Sequence, residues 1–178
     1  MKYITVPGLR NSGPEHWQSH WERQQSEAFM RVKQLNWEAP DKAAWTQQLE
    51  TSLSALNKEQ LILIGHSIGC ATIVHWHHTY GHKIKGALLV APSDPERADY
   101  PGYITGFAPL PLKPLPFPSI VVASDNDHVV SLDRAREFAR NWGSQLITLN
   151  HAGHIEPNSG FGPWPEGLDI LKGLTSLS

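Results

Sequence analysis

Cysteine occurs once in this chain, at Cys70, so no internal disulfide can brace the fold and stability must come from a packed core. Charge of one sign is also missing. The chain has 15 Lys and Arg against 17 Asp and Glu, mixed along its length for a formal net charge of -2, which excludes the basic stripe of a nucleic-acid binder or an anionic-membrane binder. No apolar run approaches the roughly 20 residues of a membrane span. The opening Met-Lys-Tyr-Ile-Thr-Val-Pro-Gly is too short an apolar stretch for a signal peptide. These absences predict a cytoplasmic protein with neither a membrane nor a nucleic acid as partner, and the 178 residues predict one domain over 1–178.

What is present is an alternation of short apolar runs and helical patterns. Residues 3–6, 31–35, 61–64, 86–90, 119–123 and 145–149 read as strands. A helix is predicted over 15–29, capped by Ser12 or Gly13 with Pro14 at its first position and Trp17, Trp21 and Ala28 on one face. Asp41 caps a second helix through about residue 56 that should bury Trp45, Leu49 and Leu53. Ser131 caps another over 131–142, and Pro165 opens a terminal one over 165–174. Residues 61–64 are apolar on both faces, as a parallel strand covered on each side must be. Repeated strand-helix units imply an α/β fold, a doubly wound parallel sheet with helices on both faces and ligands at the carboxyl ends of its strands.

The segment 92–118 interrupts that rhythm with Pro92, Pro95, Pro101, Pro109, Pro111, Pro114, Pro116 and Pro118, which neither a helix nor a central strand accommodates. It reads as a long ordered loop. Such a loop is either a small lid carrying Tyr100, Tyr103, Phe107 and Leu110 over a substrate or a passive cover of the sheet edge. It is too short and proline-rich to build a helical cap domain, so a site beside it should be a shallow cleft, bordered also by Leu9 to Gly13, that favours small ligands.

Chemistry concentrates where the strand 61–64 runs into Gly65-His66-Ser67-Ile68-Gly69 and then into helix-compatible sequence. That order is the nucleophile elbow of an α/β-hydrolase. Glycines flank the serine because side chains there would collide with neighbouring backbone, and the sharp turn lifts the Ser67 hydroxyl above the sheet. A serine hydroxyl is a weak nucleophile and needs a base oriented by a carboxylate, in the chain order Ser, acid, His. His154, in Asn150-His151-Ala152-Gly153-His154 after the last strand, is the candidate base, with His151 as rival. Asp127 is the candidate acid and Asp125 its competitor, both just past the strand 119–123; they could instead merely shape the turn. For the oxyanion, the backbone N–H of Ile68 follows the nucleophile, and the loop Pro7 to Gly13 offers Leu9, with Arg10 next.

Taken together, Pro7-Gly8 through Ser12-Gly13-Pro14, His16-Trp17-Gln18, Trp21, the elbow, Asp127-His128-Val129, Gly153-His154, Ser159-Gly160-Phe161-Gly162 and Trp164-Pro165-Glu166-Gly167 resemble the small serine hydrolases grouped with retinoblastoma-binding protein nine and the bacterial YdeN proteins. The resemblance covers nearly the whole chain. It implies a compact α/β-hydrolase fold with a shortened sheet and no large cap domain, and a Ser67, Asp127, His154 triad. The sequence departs from it at Cys70, which has Ile68 before it and Thr72 after it, so the Leu-x-Cys-x-Glu peptide that would bind a retinoblastoma-type partner is absent.

His75, His77, His78 and His82 invite a metal reading, since His78 and His82 stand four apart as zinc ligands can. No Asp, Glu or Cys nearby in sequence completes a set, so the expectation is a solvated helix face, no metal and no cofactor. Cys70 reads as a small core residue, and Trp17, Trp21, Trp37, Trp45 and Trp76 as core, with Trp17 and Trp164 able to line a pocket. The expected activity is hydrolysis of small esters, thioesters or aminoacyl compounds through an acyl-enzyme, on a small-molecule ester or amide substrate. The competing reading is a protein-binding module that keeps the fold without turnover.

Overall fold

The apolar run at 61–64 becomes the middle of a six-stranded, all-parallel sheet in a computed structural model, which describes residues 1–176. The strands are β1 (Lys2–Val6), β2 (Phe29–Arg31), β3 (Leu61–His66), β4 (Gly86–Val90), β5 (Ser119–Ser124) and β6 (Gln145–Leu149), in the order β2-β1-β3-β4-β5-β6. Helices are α1 (Trp17–Gln24), α2 (Lys42–Leu53), α3 (Ile68–Tyr80), α4 (Leu132–Trp142) and α5 (Pro165–Ser176). Because β1 connects outward to β2 and the chain then returns to the other side of β1, right-handed crossovers send α1 to one face and α2, α3 and α4 to the other.

Side-chain alternation along each strand divides the core accordingly. Ile4, Val6, Leu61, Leu63, Leu89 and Val121 pack with Trp45, Leu49 and Leu53 of α2, Ile73 and Trp76 of α3, and Phe138 and Trp142 of α4. Ile62, Ile64, Leu88, Val90 and Val122 point the other way, onto Trp17 and Trp21 of α1 and Leu171 and Leu174 of α5. The reversal of strand order between β1 and β3 opens a crevice at their carboxyl ends, where such sheets bind ligands.

Several boundaries differ from the sequence reading. Helix α1 begins at Trp17 and ends at Gln24, because residues 13–16 form a turn in which Gly13 O accepts the His16 N–H, and His16 is the cap, its Nδ1 accepting the Gln18 N–H. Ala28 therefore lies beyond the helix. Strand β2 starts two residues earlier than expected and ends four earlier, since its position is set by pairing with β1, with the Tyr3 and Phe29 rings stacked 4.8 Å apart. The caps Asp41 and Ser131 and the helix start at Pro165 are as read.

The 92–118 segment is irregular, and it is tied down. Thr105 bridges to Asp41, Arg97 donates to the carbonyls of His128 and Val129, and Trp142 Nε1 donates to Pro111 O at 2.8 Å. Phe107 and Leu110, expected over the substrate, are instead core residues at 1% and 3% exposure, while Tyr103 faces solvent. Tyr100 alone of the four borders the cleft. His75 and His77 are likewise buried, not solvated: His75 Nε2 bonds Phe107 O, and His77 Nδ1 bonds His82 O. The loop lies over that part of α3, covering what periodicity alone leaves open.

Candidate active site

Ser67 stands at the apex between β3 and α3 with φ 54 and ψ -125, a strained conformation for a residue with a side chain. The flanking glycines answer a steric demand. A Cβ on Gly65 would come within 2.9 Å of Cys70 backbone, and one on Gly69 within 2.0 Å of Val6 O. Gly8, in the loop after β1, is equally confined, since a Cβ there would meet Ser67 Cβ at 2.9 Å. Cys70 is fully buried, its Sγ donating to Val90 O and its thiol pKa pushed up by burial, as a core residue requires.

Ser67, Ile68, Leu9 and His154 line one cleft of about 480 Å³, together with Gly8, His16, Ser93 and Tyr100 among others. Asp127 lies behind His154, with its carboxylate fully buried and its Oδ1 accepting the Val129 N–H at 2.8 Å. Its two oxygens stand 3.1 and 2.9 Å from His154 Nδ1. That network assigns the proton to Nδ1 and leaves Nε2 as the basic nitrogen. The rivals separate cleanly. Asp125 accepts the His151 N–H at 2.7 Å and shapes the turn, and the His151 side chain is 84% exposed.

The loop carrying His154 is held at every step. His151 and Ile155 have φ 51 and Gly153 has φ 53, so the backbone here is repeatedly left-handed. Ser124 Oγ accepts the Ala152 N–H at 2.9 Å, and Asn126 Oδ1 accepts the Gly153 N–H at 2.8 Å. From the other side, His66 Nε2 donates to His154 O at 2.9 Å, and Trp17 Nε1 donates to Ile155 O at 3.0 Å. Sequence reasoning missed Ser124, Asn126 and His66 in this role; their one signal was adjacency to the acid and to the nucleophile.

Of the two loop amides considered for an oxyanion, Arg10 N–H is committed to Trp37 O at 3.0 Å. Leu9 N–H and Ile68 N–H have no hydrogen-bond acceptor among the described residues. The loop between them and α1 is fixed by Arg31, whose guanidinium donates to Asn11 Oδ1, Ser12 O and Ser19 Oγ. Trp17 and Trp164 are core residues that do not line the cleft; Trp17 packs edge-on against Trp164 at 5.3 Å. Among the described residues, no group of His, Cys, Asp or Glu is arranged to hold a metal ion, and no helix is long and apolar enough to cross a membrane.

A family model described as serine hydrolase matches residues 3–173. The chain belongs to the serine hydrolase family. It is similar in sequence and structure to a protein from Pectobacterium atrosepticum described as a YdeN-like hydrolase, at 37% identity over 99% of this chain and 91% of that one, with a TM-score of 0.86. The ydeN gene product of Bacillus subtilis shares its fold at 22% identity, covering 99% and 100% of the two chains with a TM-score of 0.77. An esterase from Rhodococcus shares the fold at 15% identity, covering 100% and 91% with a TM-score of 0.69. No curated protein sequence matches the chain. This serine hydrolase thus has the compact α/β-hydrolase fold expected of it, and a hydrolytic function is favoured over a binding module without turnover.

Proposed function

We propose that Ser67, His154 and Asp127 act as a catalytic triad on small, carboxylester-like substrates, among which esters, thioesters and aminoacyl compounds are the candidates. The observation that carries this reading is the buried Asp127 carboxylate facing His154 Nδ1 at 2.9 Å, in the cleft that also holds the strained Ser67. His154 Nε2 takes the Ser67 proton as Oγ attacks the acyl carbon, and the imidazolium that forms is stabilised by Asp127. The Ile68 and Leu9 N–H groups stabilise the oxyanion of the tetrahedral intermediate. Collapse breaks the bond to the leaving alcohol, thiol or amine, which receives the proton from His154, and leaves an ester on Ser67. A water then repeats the sequence in reverse and frees the acid.

The described cleft walls, with Leu9 to Asn11 on one side and Ser93, Arg97 and Tyr100 on the other, support a preference for short acyl groups. The buried thiol of Cys70 and the composition support a cytoplasmic enzyme, and one α/β-hydrolase domain accounts for the described residues 1–176 of the expected 1–178. A fluorophosphonate probe tests the assignment, because a base-activated serine reacts with it at an appreciable rate. Peptide mapping is expected to find the adduct on Ser67. Folded protein that takes up no label, or takes it up elsewhere, refutes the proposal.

A further inference from the structure

Three buried polar atoms of residues that line the Ser67 cleft lack a hydrogen-bond partner among the described residues: His16 Nε2, Ser93 Oγ and Tyr100 OH. The fold makes each of them a donor. His16 Nδ1 accepts the Gln18 N–H at 3.2 Å, so the ring proton sits on Nε2. Burial, then Arg31 and His154, lower its pKa to about 3, so the imidazole stays neutral and its N–H stays in place at working pH. Tyr100, its pKa raised first by burial, keeps its proton; its hydroxyl interacts with Ser93, and since neither oxygen has a further partner among the described residues, the pair can turn together toward one acceptor. Buried donors are ordinarily paired, and one left unpaired in a native cleft calls for a partner.

Their placement specifies that partner. His16 precedes α1 in the connection from β1, whereas Ser93 and Tyr100 follow β4, and β1 and β4 flank β3 on opposite sides. The donors therefore stand on two sides of Ser67. Charge narrows the choice further. The two arginines lining the cleft are already engaged, Arg10 with Glu38, and Arg97 with Asp99 and the carbonyls of His128 and Val129.

We propose that the substrate is a small uncharged ester with hydroxyl or carbonyl oxygens on both its acyl and leaving-group sides, one side bound by His16 Nε2–H and the other by the Ser93 and Tyr100 hydroxyls. The proposal rests on Ser67 as the nucleophile. A site with buried donors discriminates against an analogue that lacks the matching oxygen far more strongly than an apolar pocket discriminates between chain lengths.

The test compares kcat/KM, by pH-stat, for ethyl butyrate, ethyl 3-hydroxybutyrate and glyceryl monobutyrate, each divided by its own hydroxide-catalysed rate. The expected result is a preference of at least about tenfold for each hydroxylated ester over ethyl butyrate. His16→Asn keeps a side-chain acceptor for the Gln18 N–H but is too short to reach the cleft, and it is expected to collapse one of the two ratios. Tyr100→Phe is expected to collapse the other. Wild-type ratios near one overturn the proposal, even if a variant fails to fold. Ratios unchanged in both folded variants also overturn it, because the donors then make no contact with the substrate. Fluorophosphonate labelling of Ser67 in the same preparations separates the failures: label with flat ratios removes only the substrate class, whereas no label removes the triad.

Discussion

Acid should unfold this protein through two histidines that the fold keeps neutral. His16 and His66 are each 5% exposed. Burial, with help from Arg31 and His154, takes His16 from its usual 6.5 to about 3, and His66 is lowered in the same direction by burial, then by His16 and His154. In the unfolded chain both take up a proton near pH 6.5. Below that pH the unfolded state binds protons that the native state refuses, so stability is complete above about pH 6.5 and is lost progressively as the pH falls toward 3. At pH 5 the displacement of His16 alone corresponds to about 2 kcal/mol, a sizeable share of the 5–15 kcal/mol typical of a domain, and His66 adds to it. The assay is urea unfolding followed by tryptophan fluorescence at pH 7.5, 6.5, 5.5 and 5.0, in the wild type and in His16→Asn. The wild type should lose stability steeply across that range, and the variant should lose about 2 kcal/mol less between the two ends. Equal pH dependence in the two proteins would refute the claim that His16 is held unprotonated by its surroundings.

Asp127→Asn should fold yet lower kcat by roughly three to four orders of magnitude, since an amide facing Nδ1 holds the wrong tautomer, whereas Asp125→Asn should cost far less; equal losses in steady-state kinetics would mean that the turn matters and not one carboxylate. Ser67→Ala and His154→Ala should each remove nearly all turnover, with a double variant no worse than either, while His151→Ala stays active. Thermal melts should find Gly69→Ala destabilised by at least about 3 kcal/mol or unfolded, because its Cβ would stand 2.0 Å from Val6 O. Gly173→Ala, whose Cβ meets nothing within 4 Å inside α5, should gain about 0.5–1 kcal/mol.

The parts of this molecule legible in the sequence are those where a local pattern has one physical outcome. Four consecutive apolar residues leading into Gly65-His66-Ser67-Ile68-Gly69 can be a covered parallel strand and a sharp elbow and little else, and both are found. Asp41 and Ser131 cap the helices that follow them because a short polar side chain before a periodic run has a free N–H within reach. Where the outcome depends on what arrives from elsewhere in the chain, the sequence is mute. Strand β2 is three residues long, too short for periodicity, and its place is decided by β1. The proline-rich segment shows that no helix forms there, but only packing tells Phe107, buried against Trp45 and His75, from Tyr100 at the cleft. His16 is the sharpest case. Next to Trp17 it reads as one more helix residue, whereas it caps α1 with one ring nitrogen and lines the Ser67 cleft.

The loop that carries His154 shows why the site cannot be separated from the fold around it. Its left-handed residues include Ile155, a β-branched residue at φ 51, and such positions cost about 1–3 kcal/mol each unless their surroundings fix them. The bonds to Ser124, Asn126, Asp125, His66 and Trp17 return about 1 kcal/mol apiece, enough together to offset that strain. Their origins are what matter. Ser124, Asp125 and Asn126 come from the turn that holds Asp127, His66 is the neighbour of Ser67, and Trp17 belongs to the helix that follows the Leu9 loop. Each element bearing a proposed catalytic group thus also grips the backbone of the base. A shift in any of them moves His154 with it, so the relation of His154 to Ser67, Asp127 and the Leu9 and Ile68 amides is kept by shared hydrogen bonds and does not depend on the stiffness of the loop itself.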